Sequence, residues 1–180
     1  QLEDEELINS IKSIKRQIFL IQNLVNEFST YARLPKANIT KLNLSEICLV
    51  YIEEYKRNYD KIEIIHNIEE NLFVNFDHSY LDIIFNNLFK NSIEALISTN
   101  NPAIELTLKK IDEKLILTFF DNGPGYDGNI DDLIKPYFST KNSSGLGLSL
   151  INKIITDNSY KMNITTNSYS GFKIEIIFYD

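Results

Sequence analysis

The sequence predicts an α+β fold: a two-layer α/β sandwich with its helices on one face of an antiparallel or mixed sheet, preceded by a long amphipathic helix. Three patterns carry this. Apolar residues first recur in steps of four and three at Leu7, Ile11, Ile14, Ile18, Ile21, Val25 and Phe28, which lays one stripe along a helix. A second helical pattern runs through Leu81, Ile84, Leu88, Ile93 and Leu96. Strict alternation follows at Ile104, Leu106, Leu108 and at Leu115, Leu117, Phe119, the period of strands with one buried face.

Taken in order, the first stripe is widened by Ile8, Leu20 and Leu24 beyond a two-stranded zipper, which suits a helix of a four-helix bundle. A helix docked on its own domain would show the same period. Pro35 ends it, because the residue before proline avoids helical geometry. Asn43 and Glu46 resemble a capping box that opens a helix through about Lys56, with Leu44, Ile47 and Tyr51 on its inner face. Short strands are expected around Ile62 to Ile65 and Leu72 to Phe76, separated by the polar stretch Asn67 to Asn71. The long helix starts near Asp77 and stops before Asn100-Asn101-Pro102. Strands at 103–111 and 114–121 come next, then a Gly-, Asp-, Asn- and Ser-rich loop over 122–144 with a short ordered piece near Pro136 to Phe138. A helix from about Gly145 to Asp157 and strands at 161–167 and 172–179 complete the chain.

Composition narrows the classes. The 180 residues, 43% hydrophobic and 24% charged, suffice for one main folded domain with a small appendage. A net charge of -7 argues against a general grip on nucleic acid. Cys48 is the single cysteine, so no intrachain disulfide is possible, no zinc cluster is spaced, and a reducing cytoplasm fits. Cys48 reads as a small buried side chain, and His66 and His78 as structural or surface residues. No apolar run approaches the ~20 residues of a membrane-spanning helix, and the acidic start is unlike a signal peptide.

Three short motifs carry chemistry. Asn87 and Asn91, four apart in Asn87-Leu88-Phe89-Lys90-Asn91, lie on one helical face. An amide oxygen can join a magnesium shell otherwise filled by phosphate and water, although an exposed polar face has the same spacing. Asp121-Asn122-Gly123-Pro124-Gly125 follows a buried strand. A carboxylate fixed there can accept from an exocyclic amine, and glycines allow close backbone approach; a surface turn is the plain alternative. Ser143-Ser144-Gly145-Leu146-Gly147-Leu148 leads into a helix, whose unpaired amides attract anions; a plain loop-to-helix junction is the alternative.

The ordered combination, with Phe138 in the loop between, resembles the asparagine, first glycine, phenylalanine and second glycine boxes of the GHKL ATPase superfamily. The resemblance implies the Bergerat fold over about residues 42–180, holding ATP and Mg2+. It implies that Asn91 is the metal ligand and Asn87 its partner, that Asp121 reads adenine, and that Gly123 and Gly125 shape the base pocket. By the same resemblance Phe138 anchors a lid, Lys90 reaches a phosphate, and Lys141, Gly145 and Gly147 lie along the phosphates with Leu146 and Leu148. Ser143 stands where the lid's first glycine is often found.

Relatives that hydrolyse ATP, such as gyrase and MutL, place a glutamate where Asn87 stands. A neutral amide is a poor general base, which favours phosphoryl transfer to a protein side chain. The run Leu24 to Pro35 followed by Leu42-Asn43-Leu44, and Asn91-Ser92-Ile93-Glu94-Ala95-Leu96, resemble NtrY- and NtrB-type sensor histidine kinases. That resemblance implies a second dimerisation helix over residues 1–36 and a catalytic ATP-binding domain over 37–180. It further implies a phosphoacceptor histidine outside this chain, a response regulator as onward partner, a homodimeric parent, and cytoplasmic placement with the parent anchored in the inner membrane. A non-catalytic assembly module and an ATP-hydrolysing clamp are the two rival readings.

Overall fold

Residues 7–8, 10–15, 17–18, 21–22, 25, 28–29, 34, 36–139, 144–166 and 171–179 are described in a computed structural model. The described residues between 7 and 29 are helical, and the stripe expected there is open to solvent: Leu7, Ile14, Ile21 and Phe28 are 60%, 55%, 59% and 52% exposed. Leu20 and Leu24 lie outside the described residues.

The remainder follows the order β1 (Thr40–Asn43), α1 (Leu44–Asn58), β2 (Glu63–Ile68), β3 (Phe73–Phe76), α2 (His78–Leu96), β4 (Ala103–Ile111), β5 (Lys114–Asp121), α3 (Ile130–Leu133), α4 (Gly147–Asp157), β6 (Lys161–Thr166) and β7 (Phe172–Tyr179). Asn43 caps α1 through Glu46 N–H (3.4 Å), as the capping box requires. The main sheet runs β2-β4-β5-β7-β6, with β1 and β3 forming a separate antiparallel pair. Within the sheet β2 is parallel to β4 and the other pairs are antiparallel.

Period two decides which face is covered. Leu106 and Leu108, Leu115 and Leu117, and Ile174 and Ile176 are all at most 5% exposed. They form one core with Leu81, Ile84, Phe85, Leu88 and Phe89 of α2 and with Ile151, Ile154 and Ile155 of α4. Helices α1 and α2 join through ring stacking, Tyr51 on Phe85 at 4.6 Å and Tyr55 on Phe89 at 3.9 Å between centroids. Cys48 is fully buried, and desolvation pushes its thiol up to about 12, so it stays inert. Leu34 and Ala37, on either side of the boundary expected at residue 36, both pack against this core.

Two elements go beyond the expected ones. The long loop carries a helical turn that was not expected, α3 at Ile130–Leu133, ahead of the hydrogen-bonded turn near Pro136 in which Phe138 N–H donates to Lys135 O at 3.3 Å. Asn129 caps α3 through Asp131 N–H at 3.0 Å, and a helix of one turn is too short to show an apolar period. Strand β1 was not expected at all; it is held by pairing Leu42 with Val74, a register no local pattern announces.

Asp77 ties three pieces of backbone together. It caps α2 through Ser79 N–H (2.7 Å) and the Ser79 hydroxyl (2.6 Å), and its other oxygen accepts from Asn38 N–H (2.5 Å). Burial by itself would raise this carboxyl, but the Ser79 hydroxyl and the amides of Asn38, Ser79 and Tyr80 outweigh burial and hold it below the ordinary carboxylate range. A folded pKa below the unfolded one gives stability that is complete above the unfolded pKa and is lost as pH falls through the folded one. Urea unfolding of the wild type and of Asp77→Asn should therefore differ most at neutral pH and converge only as pH falls from about 4, the unfolded carboxylate pKa, through the lower folded one. A gap between them that is independent of pH would contradict the assignment.

Candidate functional site

Helix α2 turns two faces to two environments. Its apolar face fills the core, while Asn87, Lys90, Asn91, Glu94 and Ala95 line a cavity of about 340 Å³, within the size range of small-ligand sites. The Asn87 amide nitrogen donates to Ile83 O at 2.7 Å. That fixes the side chain and turns its carbonyl oxygen toward α4, where a Cβ built on Gly147 would sit 2.7 Å from Oδ1. A side chain at position 147 would have to displace the Asn87 amide from this position.

Among the described residues no side chain caps the start of helix α4 after Leu146, and helix-start amides at the end of the cavity beside Asn87 suit an anion. Gly145 carries φ +67, and a Cβ there would meet Phe138 O at 2.5 Å. The loop and the helix entrance thus pack backbone to backbone. Phe138 also meets Tyr126 edge to face, 6.1 Å between centroids.

The opposite end is built on β5. Asp121 is 2% exposed, accepting from Ser92 Oγ at 2.6 Å and from Gly123 N–H at 3.0 Å. A buried carboxylate needs such donors. Ala95 lies against Gly123, 3.3 Å from its built Cβ. Helix α2 therefore runs the length of the cavity, from Asn87 at the α4 end to Ala95 at the Asp121 end.

Of the residues singled out in the sequence, Asn87, Lys90, Asn91, Asp121, Gly125, Phe138, Gly145, Gly147 and Leu148 share this lining. Gly123 and Leu146 do not: Gly123 supports Asp121 from beneath, and Leu146 is 3% exposed, its side chain buried. Lys141 and Ser143 lie outside the described residues. Sequence reasoning missed Tyr126, Leu133, Phe172 and Glu94 in the lining and Ser92 behind it. Phe172 reaches the site because β7 places it directly opposite Asp121, a pairing that sequence alone does not give.

The chemistry of the donors fits a magnesium nucleotide. Among the described residues no group of three or more His, Cys, Asp or Glu could hold a metal. A divalent ion beside Asn91 would take most of its oxygens from a polyphosphate and water, which is how magnesium is commonly bound. The acceptor-only Asp121 suits an amine-bearing base at the other end.

An α/β sandwich with paired asparagines on a core helix, a carboxylate at a strand end and glycines at a helix entrance is the nucleotide-binding arrangement of the GHKL class. Residues 76–179 match the family described as histidine kinase-, DNA gyrase B-, and HSP90-like ATPase, and the chain belongs to that family. An NtrY-like sensor histidine kinase of Rickettsia bellii is 27% identical over 181 residues, covering 98% of this chain; the chain spans 29% of that protein's length. The catalytic domain of histidine kinase ThkA, in a nucleotide-free form, superposes with TM-score 0.70 at 25% identity over 79% of this chain and 97% of its own. ThkA in complex with response regulator TrrA gives TM-score 0.78 at 24% identity, covering 96% of this chain and 51% of that one. The chain is an ATP-binding catalytic domain of the sensor histidine kinase type.

Proposed function

We propose that this chain binds Mg2+-ATP in the α2 cavity and presents the γ-phosphate to a histidine outside it, from which a response-regulator aspartate receives it. The observation that carries the reading is the convergence of Asn87, Asn91, Asp121 and the glycine entrance of α4 on one cavity. Asp121 accepts from the adenine amine, and Gly125, Tyr126 and Phe172 enclose the base. Asn91 would hold the metal, Asn87 orients phosphate or acceptor, and Lys90, Gly145, Gly147 and Leu148 lie along the phosphates. A magnesium ion held there would supply charge neutralisation on the triphosphate.

In the transfer the bond between the γ-phosphorus and the bridging oxygen breaks and a phosphorus–nitrogen bond to imidazole forms. ADP leaves and the imidazole proton passes to solvent or a nearby base. This chemistry asks for positioning and charge neutralisation more than for covalent help. Asn87, whose amide is occupied by Ile83 O, offers no general base for water, which favours transfer over hydrolysis.

Residues 1–36 form the second dimerisation helix of a homodimeric parent. Its exposed stripe, with Ile11 45% and Ile18 50% exposed, is a face of the kind that partner helices cover. Among the described residues no helix is long and apolar enough to cross a membrane; the parent is anchored in the inner membrane by other segments and this domain faces the cytoplasm.

Calorimetric titration with a non-hydrolysable ATP analogue, with and without Mg2+, tests the reading. Magnesium-dependent binding is expected, and Asp121→Asn should weaken it about tenfold or more by removing a charge-assisted acceptor. Absence of binding in millimolar Mg2+ would leave an assembly module as the better account.

A further inference from the structure

Ser92 follows Asn91 by one residue on α2 and faces the other way. Asn91 lines the cavity, whereas Ser92 is 3% exposed and absent from the lining. Its hydroxyl donates to Asp121 Oδ2 at 2.6 Å, and the Gly123 amide donates to Oδ1 at 3.0 Å. With a donor on each oxygen, from two different elements, the plane of the carboxylate is fixed. An ionised carboxylate held in that way presents only acceptor lone pairs.

Resting on the nucleotide reading above, we propose that Ser92 is a positioning residue for base selection, aiming Asp121 at the exocyclic amine of adenine. A base with a carbonyl at that place sets an acceptor against an acceptor, and discrimination of this kind depends on polar groups left unpaired with the wrong ligand. A carboxylate free to rotate would lose that contrast. Because Ser92 does not reach the cavity, its effect passes through Asp121 and falls on the amine-bearing edge of the base alone. A serine that merely held α2 to β5 would instead alter the affinity of every nucleotide alike.

The test is titration of the whole chain and of Ser92→Ala with ATP and with purine riboside 5′-triphosphate, which lacks the 6-amino group, in one Mg2+ buffer. The wild type should prefer ATP. In Ser92→Ala, ATP affinity should fall about tenfold, the loss expected when a buried acceptor is deprived of its donor, while affinity for the analogue changes less than about twofold, so the preference collapses. Ser92→Cys, similar in size but with a weak S–H donor, should fall between. Comparing two nucleotides on one preparation cancels any loss of folded protein. Equal losses for both, or an unchanged preference, would overturn the role of Ser92 and leave the nucleotide site standing. A wild type that binds neither would overturn both.

Discussion

Asn91→Ala is expected to lower magnesium-dependent nucleotide affinity on the order of 100-fold, the scale seen when a preorganised polar partner of a metal or charged group is removed. Asn91 lies one turn beyond Asn87 on the cavity face of α2, and no carboxylate cluster among the described residues stands ready to replace it. The loss should appear only with Mg2+ present; metal-free binding, which rests on the Asp121 end, should change little. Asn86→Ala is the matched control. Asn86 is exposed on the same helix, outside the cavity lining, and accepts from the Tyr55 hydroxyl at 3.1 Å, so that variant should bind as the wild type does. An Asn91→Ala variant with intact magnesium dependence would remove the metal assignment.

The largest effect on stability is expected at Phe89. Its ring is fully buried, stacked on Tyr55 at 3.9 Å and edge-on to Phe119 at 4.9 Å, so it joins α1, α2 and the sheet at one point. Phe89→Ala should cost about 3–5 kcal/mol, combining lost transfer energy with the cavity left behind. Against a total stability of about 5–15 kcal/mol, that is a lowering of the melting temperature by roughly 6–20 °C. Ile97→Ala provides the contrast: Ile97 is 80% exposed, and its truncation should stay within about 0.5 kcal/mol. Thermal melts of the two variants decide the matter, and similar melting points would mean that Phe89 does not hold the layers together.

The fold was most legible where burial writes a period into the chain. Strands β4 and β5 were read at 103–111 and 114–121, the bounds they adopt, because Leu106, Leu108, Leu115 and Leu117 must alternate to cover one face. Where structure depends on a distant partner, the signal vanishes. Strand β1 exists because β3 pairs with it, and α3 is a single turn held by Asn129. The cavity shows the same division. Asn87, Asn91 and Asp121 were visible because spacing and position after a strand constrain them. Ser92 was not, since a serine in a helix betrays nothing of the carboxylate 29 residues on that it meets. Phe172 and Leu133 depend likewise on register and on the course of a loop.

The parallel pairing of β2 with β4 has a bearing on the order in which the chain folds. Strands β4 and β5 are joined by a tight turn and β6 and β7 by a short connection, so their contacts are local and inexpensive to form. Strand β2 can reach β4 only after β3 and the whole of α2 have been laid across the sheet, a closure whose entropy must be met before its contacts repay it. Zippering should therefore begin within the β4–β5 and β6–β7 hairpins; joining β2 to β4 and β5 to β7 closes longer loops and comes later. No residue of β2 belongs to the cavity lining, and β4 lies between it and the strand that carries Asp121, so a change at this edge reaches the nucleotide pocket only indirectly.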